Sequence, residues 1–247
     1  MTREAAVAAA RALLEDGPYL EVMTRRVAMP TASQDPASAP HLHAYLAEEI
    51  LPELERQGFT GQIFENPTGQ GGPFLIARRI EDPSLPTLLT YGHGDTVLGL
   101  DDGWEEGLSP WVLTRRGDRI YGRGIVDNKG QHTANLMAME AVRQQRGGRL
   151  GYNVTLLLEM SEEVGSPGIE EICEQQRDLL KADVLIASDG PRLVPDVPTL
   201  TLGTRGAIDF DLRVKYREGG HHSGNWGGLL SNPGIRLAHA IASLVGP

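Results

Sequence analysis

Three apolar runs in this chain stop at residues that can do chemistry. LLTYGHGD ends in His93 and Asp95, VTLLLEMSEE ends in Glu162 and Glu163, and DVLIASDG ends in Asp189. A further acid, Asp127, lies in YGRGIVDNKGQ just ahead of a predicted helix, among glycines that permit tight turns. Adjacent acids such as Glu162 and Glu163 repel, and placing them at the end of a buried strand adds a desolvation cost. A divalent cation offsets both and favours the ionised carboxylates. One imidazole with several carboxylates suits zinc, manganese or cobalt better than a thiolate-seeking metal. Two adjacent glutamates need not have the same role, since one can bind metal while the other takes a proton from water.

Such residues meet only if their strands end at one edge. Open parallel sheets bind ligands at the carboxyl ends of their strands. FTGQIFE, PFLIARRI, PTLLTYGH, GYNVTLLLEM and DVLIASD read as strands, with helices predicted over 3–15, 18–28, 39–57 and 130–146. Residues 94–118 read as a loop. Ser166, followed by Pro167, has the pattern of a helix N-cap, and Ile169, Ile172 and Cys173 continue one face of the helix it would open. The alternation predicts an α/β fold, a largely parallel sheet with helices on both faces, over residues 1–198. PRLVPDVPTL reads as a linker. Residues 199–247 hold one alternating strand, GAIDFDLRVKYRE, and one helix near 232–245, which read as the first half of an α+β lid or dimerisation domain.

The 247 residues carry a net charge of −10, which argues against a nucleic-acid surface. The single cysteine, Cys173, excludes an internal disulfide framework and a cysteine-based zinc site, and it reads as a packed thiol. No apolar run approaches the roughly 20 residues of a membrane span. The N-terminus reads as an amphipathic helix rather than a signal peptide, so the cytoplasm is the expected location.

Taken together, H-x-D at 93–95, GRG-x-x-D-x-KG at 122–130, EE at 162–163 and SDG at 188–190 resemble the M20 metallopeptidases, a group of carboxypeptidases, dipeptidases, aminoacylases and N-acyl-amino-acid deacylases. HSG-x-x-GG at 222–228 looks most like the carnosinase-type dipeptidases. The resemblance implies two divalent ions, zinc in the first place. It implies His93 and Asp189 on one ion, Glu163 on the other, and Asp127 bridging both. It also implies Asp95 orienting His93, Glu162 as general base toward a bridging water, a cis peptide after Asp127, and a homodimer in which His222 reaches the partner's site.

The implied substrate is a small peptide or an N-acyl amino acid. The rival readings are a deacylase of the acetylornithine or succinyl-diaminopimelate kind, and an inactive fragment that only associates through its half-lid. The resemblance also implies a further histidine ligand downstream. His41, His43, His132 and His239 all lie in predicted helices and none matches it, so the chain reads as shortened at its C-terminus.

Overall fold

A computed structural model describes residues 2–15, 17–190, 194, 197, 199–203 and 205–245. Most of the expected linker therefore lies outside the described residues. The chain divides into two compact units, Met1–Pro191 and Arg192–Pro247.

The first unit opens with helices α1 (Arg3–Glu15) and α2 (Pro18–Val27), the second carrying its proline in the first turn, where the missing N–H costs nothing. The expected helix over 39–57 is built in three pieces. These are α3 (Ala39–Ala44), a π-helical turn (Tyr45–Ile50) and α4 (Leu51–Arg56). Pro52 has no N–H for an α-helical bond, and the widened turn lies directly ahead of it. Strands β1 (Thr60–Phe64), β2 (Phe74–Arg79) and β3 (Thr87–His93) follow. The expected loop over 94–118 ends in a short hairpin of β4 (Thr114–Arg116) and β5 (Arg119–Tyr121). Helix α5 (Lys129–Gln145), strand β6 (Asn153–Glu159), helices α6 (Ile169–Gln175) and α7 (Arg177–Leu180) and strand β7 (Val184–Ala187) complete the unit.

Five strands form one mixed sheet in the order β1-β2-β6-β3-β7. β6, β3 and β7 are parallel; β1 and β2 join as antiparallel neighbours. β6 is buried along its whole length, as its unbroken VTLLLE run requires. Leu156 and Leu158 pack with Tyr45, Leu46, Ile50, Leu54 and Leu136 on one face. Leu157, Phe74 and Ile76 pack with Ile172 and Leu180 on the other. Helices thus cover both faces, and the parallel strands present their carboxyl ends along one edge. Cys173 packs half-buried beside the second of these clusters.

The second unit contains α8 (Ser223–Trp226) and α9 (Pro233–Leu244), the latter capped by the Asn232 side chain on the amides of Gly234 and Ile235. The strand expected over 206–218 does not form. Its alternation is genuine, but a strand is held by a neighbouring backbone, and among the described residues none pairs with it.

Candidate metal centre

Register brings the three strand ends level. In the parallel ladders His93 lies opposite Glu159, and Tyr91 lies opposite Ala187. The residues just beyond each strand, Glu162 and Glu163 after β6 and Asp189 after β7, therefore emerge beside His93. Asp127 arrives from the side, on the turn that opens α5. That turn closes through a bond from the Gly130 amide to the Gly124 carbonyl (3.1 Å). A Cβ on Gly130 would lie 2.0 Å from the Ile125 carbonyl oxygen, so the turn requires glycine there. The Asp127–Asn128 peptide is cis. Behind the turn, the buried Lys129 ammonium donates to the carbonyls of Arg26 (2.8 Å) and Met29 (2.7 Å) at the end of α2. Burial first, then the nearby Arg26 charge, pulls the pKa of Lys129 down to about 7.

His93 is fully buried, and its Nε2 lies 2.9 Å from Asp127 Oδ1, 3.5 Å from Asp189 Oδ2 and 3.9 Å from Glu162 Oε2. The donor atoms of His93, Asp127 and Asp189 all fall within 4.8 Å of one another. Glu163 is not one of this triad. Burial raises its pKa first, and the Asp127 charge adds to that, as expected of acids crowded around one point. The pKa values of Glu162 and Asp189 are likewise raised, chiefly by burial. Burial alone would lower the pKa of His93, but Asp95, Asp189 and Asp127 together push it up to about 9. A divalent cation suits this donor set. His93 Nδ1 faces the main-chain oxygen of Asp95 (3.1 Å) and its carboxylate (3.3 Å), which leaves Nε2 as the ring atom aimed at the carboxylates.

Asp95 does more than face His93. Its buried carboxylate accepts the backbone amides of Glu162 (3.1 Å) and Glu163 (3.1 Å) and the Ser33 hydroxyl (2.6 Å). The two adjacent glutamates ride on a single 3₁₀ turn, Glu162–Val164, whose backbone is pinned to the acid that also faces the histidine. On the far side of that turn, Glu159 Oε1 accepts the Tyr91 hydroxyl (2.6 Å) and the Ser166 hydroxyl (2.9 Å). Ser166 is therefore not the helix cap its sequence suggests: it sits at φ 50° and bonds Glu159, while Gly168 occupies the cap position of α6. In the second unit His222 caps α8, its Nδ1 accepting the Gly224 amide (3.1 Å).

Sequence reasoning singled out His93, Asp95, Asp127, Glu162, Glu163, Asp189 and His222; the structure gathers the first six around the carboxyl ends of the parallel strands, with Asp127 on the turn that opens α5, while His222 belongs to the second unit. It overlooked Ser33, Asn128, His132 and Tyr45, which hold the site from behind. The spacing of Asn128 and His132, four residues apart across the start of α5, was the one available sign that two polar side chains share a buried face.

Comparison with known proteins places this arrangement. The family model described as peptidase family M20/M25/M40 matches residues 89–226. Beta-Ala-His dipeptidase of Mus musculus is 38% identical over 176 residues, covering 70% of this chain and 35% of that enzyme. Cys-Gly metallodipeptidase DUG1 of Candida albicans is 30% identical over 240 residues, covering 92% of this chain and 49% of that enzyme. The crystal structure of human carnosine dipeptidase 1 superposes with a TM-score of 0.73 at 28% identity, covering 98% of this chain and 52% of that one. The chain thus spans about half the length, or less, of these relatives. The motifs from His93 to His222 fall inside the matched segment, and the chain belongs to peptidase family M20/M25/M40.

Proposed function

We propose that this chain carries the catalytic residues of a metal-dependent amidohydrolase that cleaves the amide bond of a dipeptide, with Glu162 as general base. The observation that carries the proposal is the Glu162 carboxylate. It lies 3.9 Å from His93 Nε2, beside the three-residue donor cluster but not part of it. His93 and Asp189 are proposed to hold one divalent ion of the zinc, manganese or cobalt class, Glu163 to serve a second, and Asp127 to be shared between them. When bound, such ions polarise the scissile carbonyl and acidify water.

The chain's own groups move the proton. The Glu162 carboxylate takes it from the water that attacks the carbonyl carbon, then returns it to the leaving nitrogen as the C–N bond breaks. Burial, by raising the pKa of Glu162, makes the carboxylate a better base in the first step and its acid form a usable donor in the second. Asp95 keeps His93 and the glutamate turn in fixed relation throughout. His222 is proposed to donate from Nε2 to the developing oxyanion of a second copy's substrate. Its Nδ1 already accepts the Gly224 amide, which leaves the proton on Nε2.

Relatives named as Beta-Ala-His and Cys-Gly dipeptidases support a dipeptide over an N-acyl amino acid. The test uses the complete protein with zinc or manganese, on a panel of dipeptides against N-acetyl and N-succinyl amino acids. Dipeptides should turn over faster, and Glu162→Gln should retain metal while losing about 10²- to 10⁴-fold in kcat. Preferential cleavage of the N-acyl substrates would make the protein a deacylase. Full turnover by Glu162→Gln would overturn the mechanism.

A further inference from the structure

One buried amide touches segments that bear all three residues of the donor cluster. Asn128 follows Asp127 directly and is fully buried. Its Oδ1 accepts the backbone N–H of His93 (3.3 Å), and its Nδ2 donates to the carbonyl of Ser188 (2.7 Å), the residue before Asp189. These partners settle the orientation of the amide, because a backbone N–H can only donate and a backbone carbonyl can only accept. Ser188 is held a second time, its hydroxyl accepting the Asn135 side-chain amide (2.8 Å) one turn or more further along α5.

The orientation propagates. His132 Nδ1 lies 3.3 Å from Asn128 Oδ1, an atom that can only accept, so Nδ1 must carry the ring proton. His132 Nε2 is then an acceptor, and it lies 2.8 Å from the Tyr45 hydroxyl, which must donate. Tyr45, His132 and Asn128 are all buried, so water offers no competing partner. The sequence makes room for this contact. A Cβ on Gly92 would meet Asn128 Oδ1 at 2.8 Å and His132 Cβ at 3.1 Å, so the glycine ahead of His93 is what lets the amide reach strand β3.

We propose that Asn128 is the positioning residue of the metal centre, oriented by a one-way relay from the Tyr45 hydroxyl through an Nδ1-protonated His132 and ending on the Ser188 carbonyl. The relay holds the segments bearing His93, Asp127 and Asp189 at one spacing, so the donor atoms meet without rearrangement. It rests on the proposed metal-binding role of these three residues. The Nδ1–H form is the minor tautomer of free histidine, so its presence at His132 would be a signature of the relay rather than of mere burial.

Two measurements test it on the 247-residue chain. In the wild-type chain labelled with ¹⁵N-histidine, long-range ¹H–¹⁵N correlation should show a pyrrole-type Nδ1 and a pyridine-type Nε2 at His132. The opposite pattern, or an averaged pair of signals, would overturn the relay, and this readout needs no variant to fold. In Asn128→Leu, zinc affinity measured by competition with a chromophoric chelator should fall about 10- to 100-fold, as for other groups that orient metal ligands. His132 should also lose its tautomer preference. A folded Asn128→Leu chain that binds zinc as tightly as wild type would remove the positioning role. Failure of the wild-type chain itself to bind zinc would sink the proposed metal centre, while the histidine spectrum would still decide the relay.

Discussion

Asp95→Asn replaces one oxygen of a fully buried carboxylate with an amide and leaves the shape almost unchanged. The carboxylate accepts three donors, the amides of Glu162 and Glu163 and the Ser33 hydroxyl, and faces His93 Nδ1 at 3.3 Å. The new NH₂ would best replace Oδ2. The Ser33 hydroxyl can reverse and accept from it, and Oδ1 still serves Glu162 and His93. The Glu163 amide has no such escape: it then points at a donor. One charge-assisted hydrogen bond is lost, about 1.5–3 kcal/mol, and a buried N–H is left unsatisfied at about 1–3 kcal/mol, so a loss of about 2.5–6 kcal/mol in unfolding free energy is expected. That is a large share of a typical domain stability of about 5–15 kcal/mol.

Removing the negative charge behind His93 should also weaken zinc about 10- to 100-fold. Urea unfolding followed by circular dichroism measures the first effect in chelator, and chelator competition measures the second. Hydrogen exchange adds a local reading, because the Glu162 and Glu163 amides should lose protection before those in the middle of β6. A variant within about 1 kcal/mol of wild type, with zinc affinity and both amide protections unchanged, would refute the anchoring role drawn for Asp95.

Asp127→Ala in the complete protein should lower zinc content at both proposed ion positions, read by elemental analysis against protein concentration. Unchanged stoichiometry would remove the shared-ligand assignment. Verified mixed dimers of an Asp127→Ala chain with a His222→Ala chain should recover part of the activity that each lacks alone, and no recovery would place His222 outside its partner's reaction. The Arg143 guanidinium bonds both carboxylate oxygens of Glu140 (2.6 and 2.8 Å) and holds its pKa below the ordinary glutamate range. The pair's contribution is thus complete above the unfolded-state pKa and lost as pH falls through the folded one. Glu140→Gln should cost less than about 1 kcal/mol at pH 7, and that cost should shrink steadily as pH falls below the ordinary glutamate range, as measured by urea unfolding across a pH series.

Much of this molecule is written in local stretches of its sequence. The runs that end in His93, in Glu162 and Glu163, and in Asp189 are local patterns, and strand ends in an open sheet converge whatever the details of packing. The acid ahead of α5 and the family resemblance follow from the same short stretches of chain. Other features depend on partners far away in sequence. PFLIARRI announces a strand, but nothing in it says that β2 pairs antiparallel to β6 and makes the sheet mixed. GAIDFDLRVKYRE alternates as a strand should, yet pairing needs a neighbour that periodicity does not supply.

Ser166 matches the cap pattern, but Glu159, seven residues back and fully buried, takes its hydroxyl instead. The reason two acids can stand side by side is likewise tertiary, since their amides are bound by one carboxylate 67 and 68 residues earlier. Asn128 looked like a spacer in a motif until folding set it between His93, Ser188 and His132. Hydrophobic period and turn chemistry are written along the chain. Which buried donor meets which acceptor is decided only when distant segments close, because an unpaired polar group in the interior costs more than the local preference it overrides.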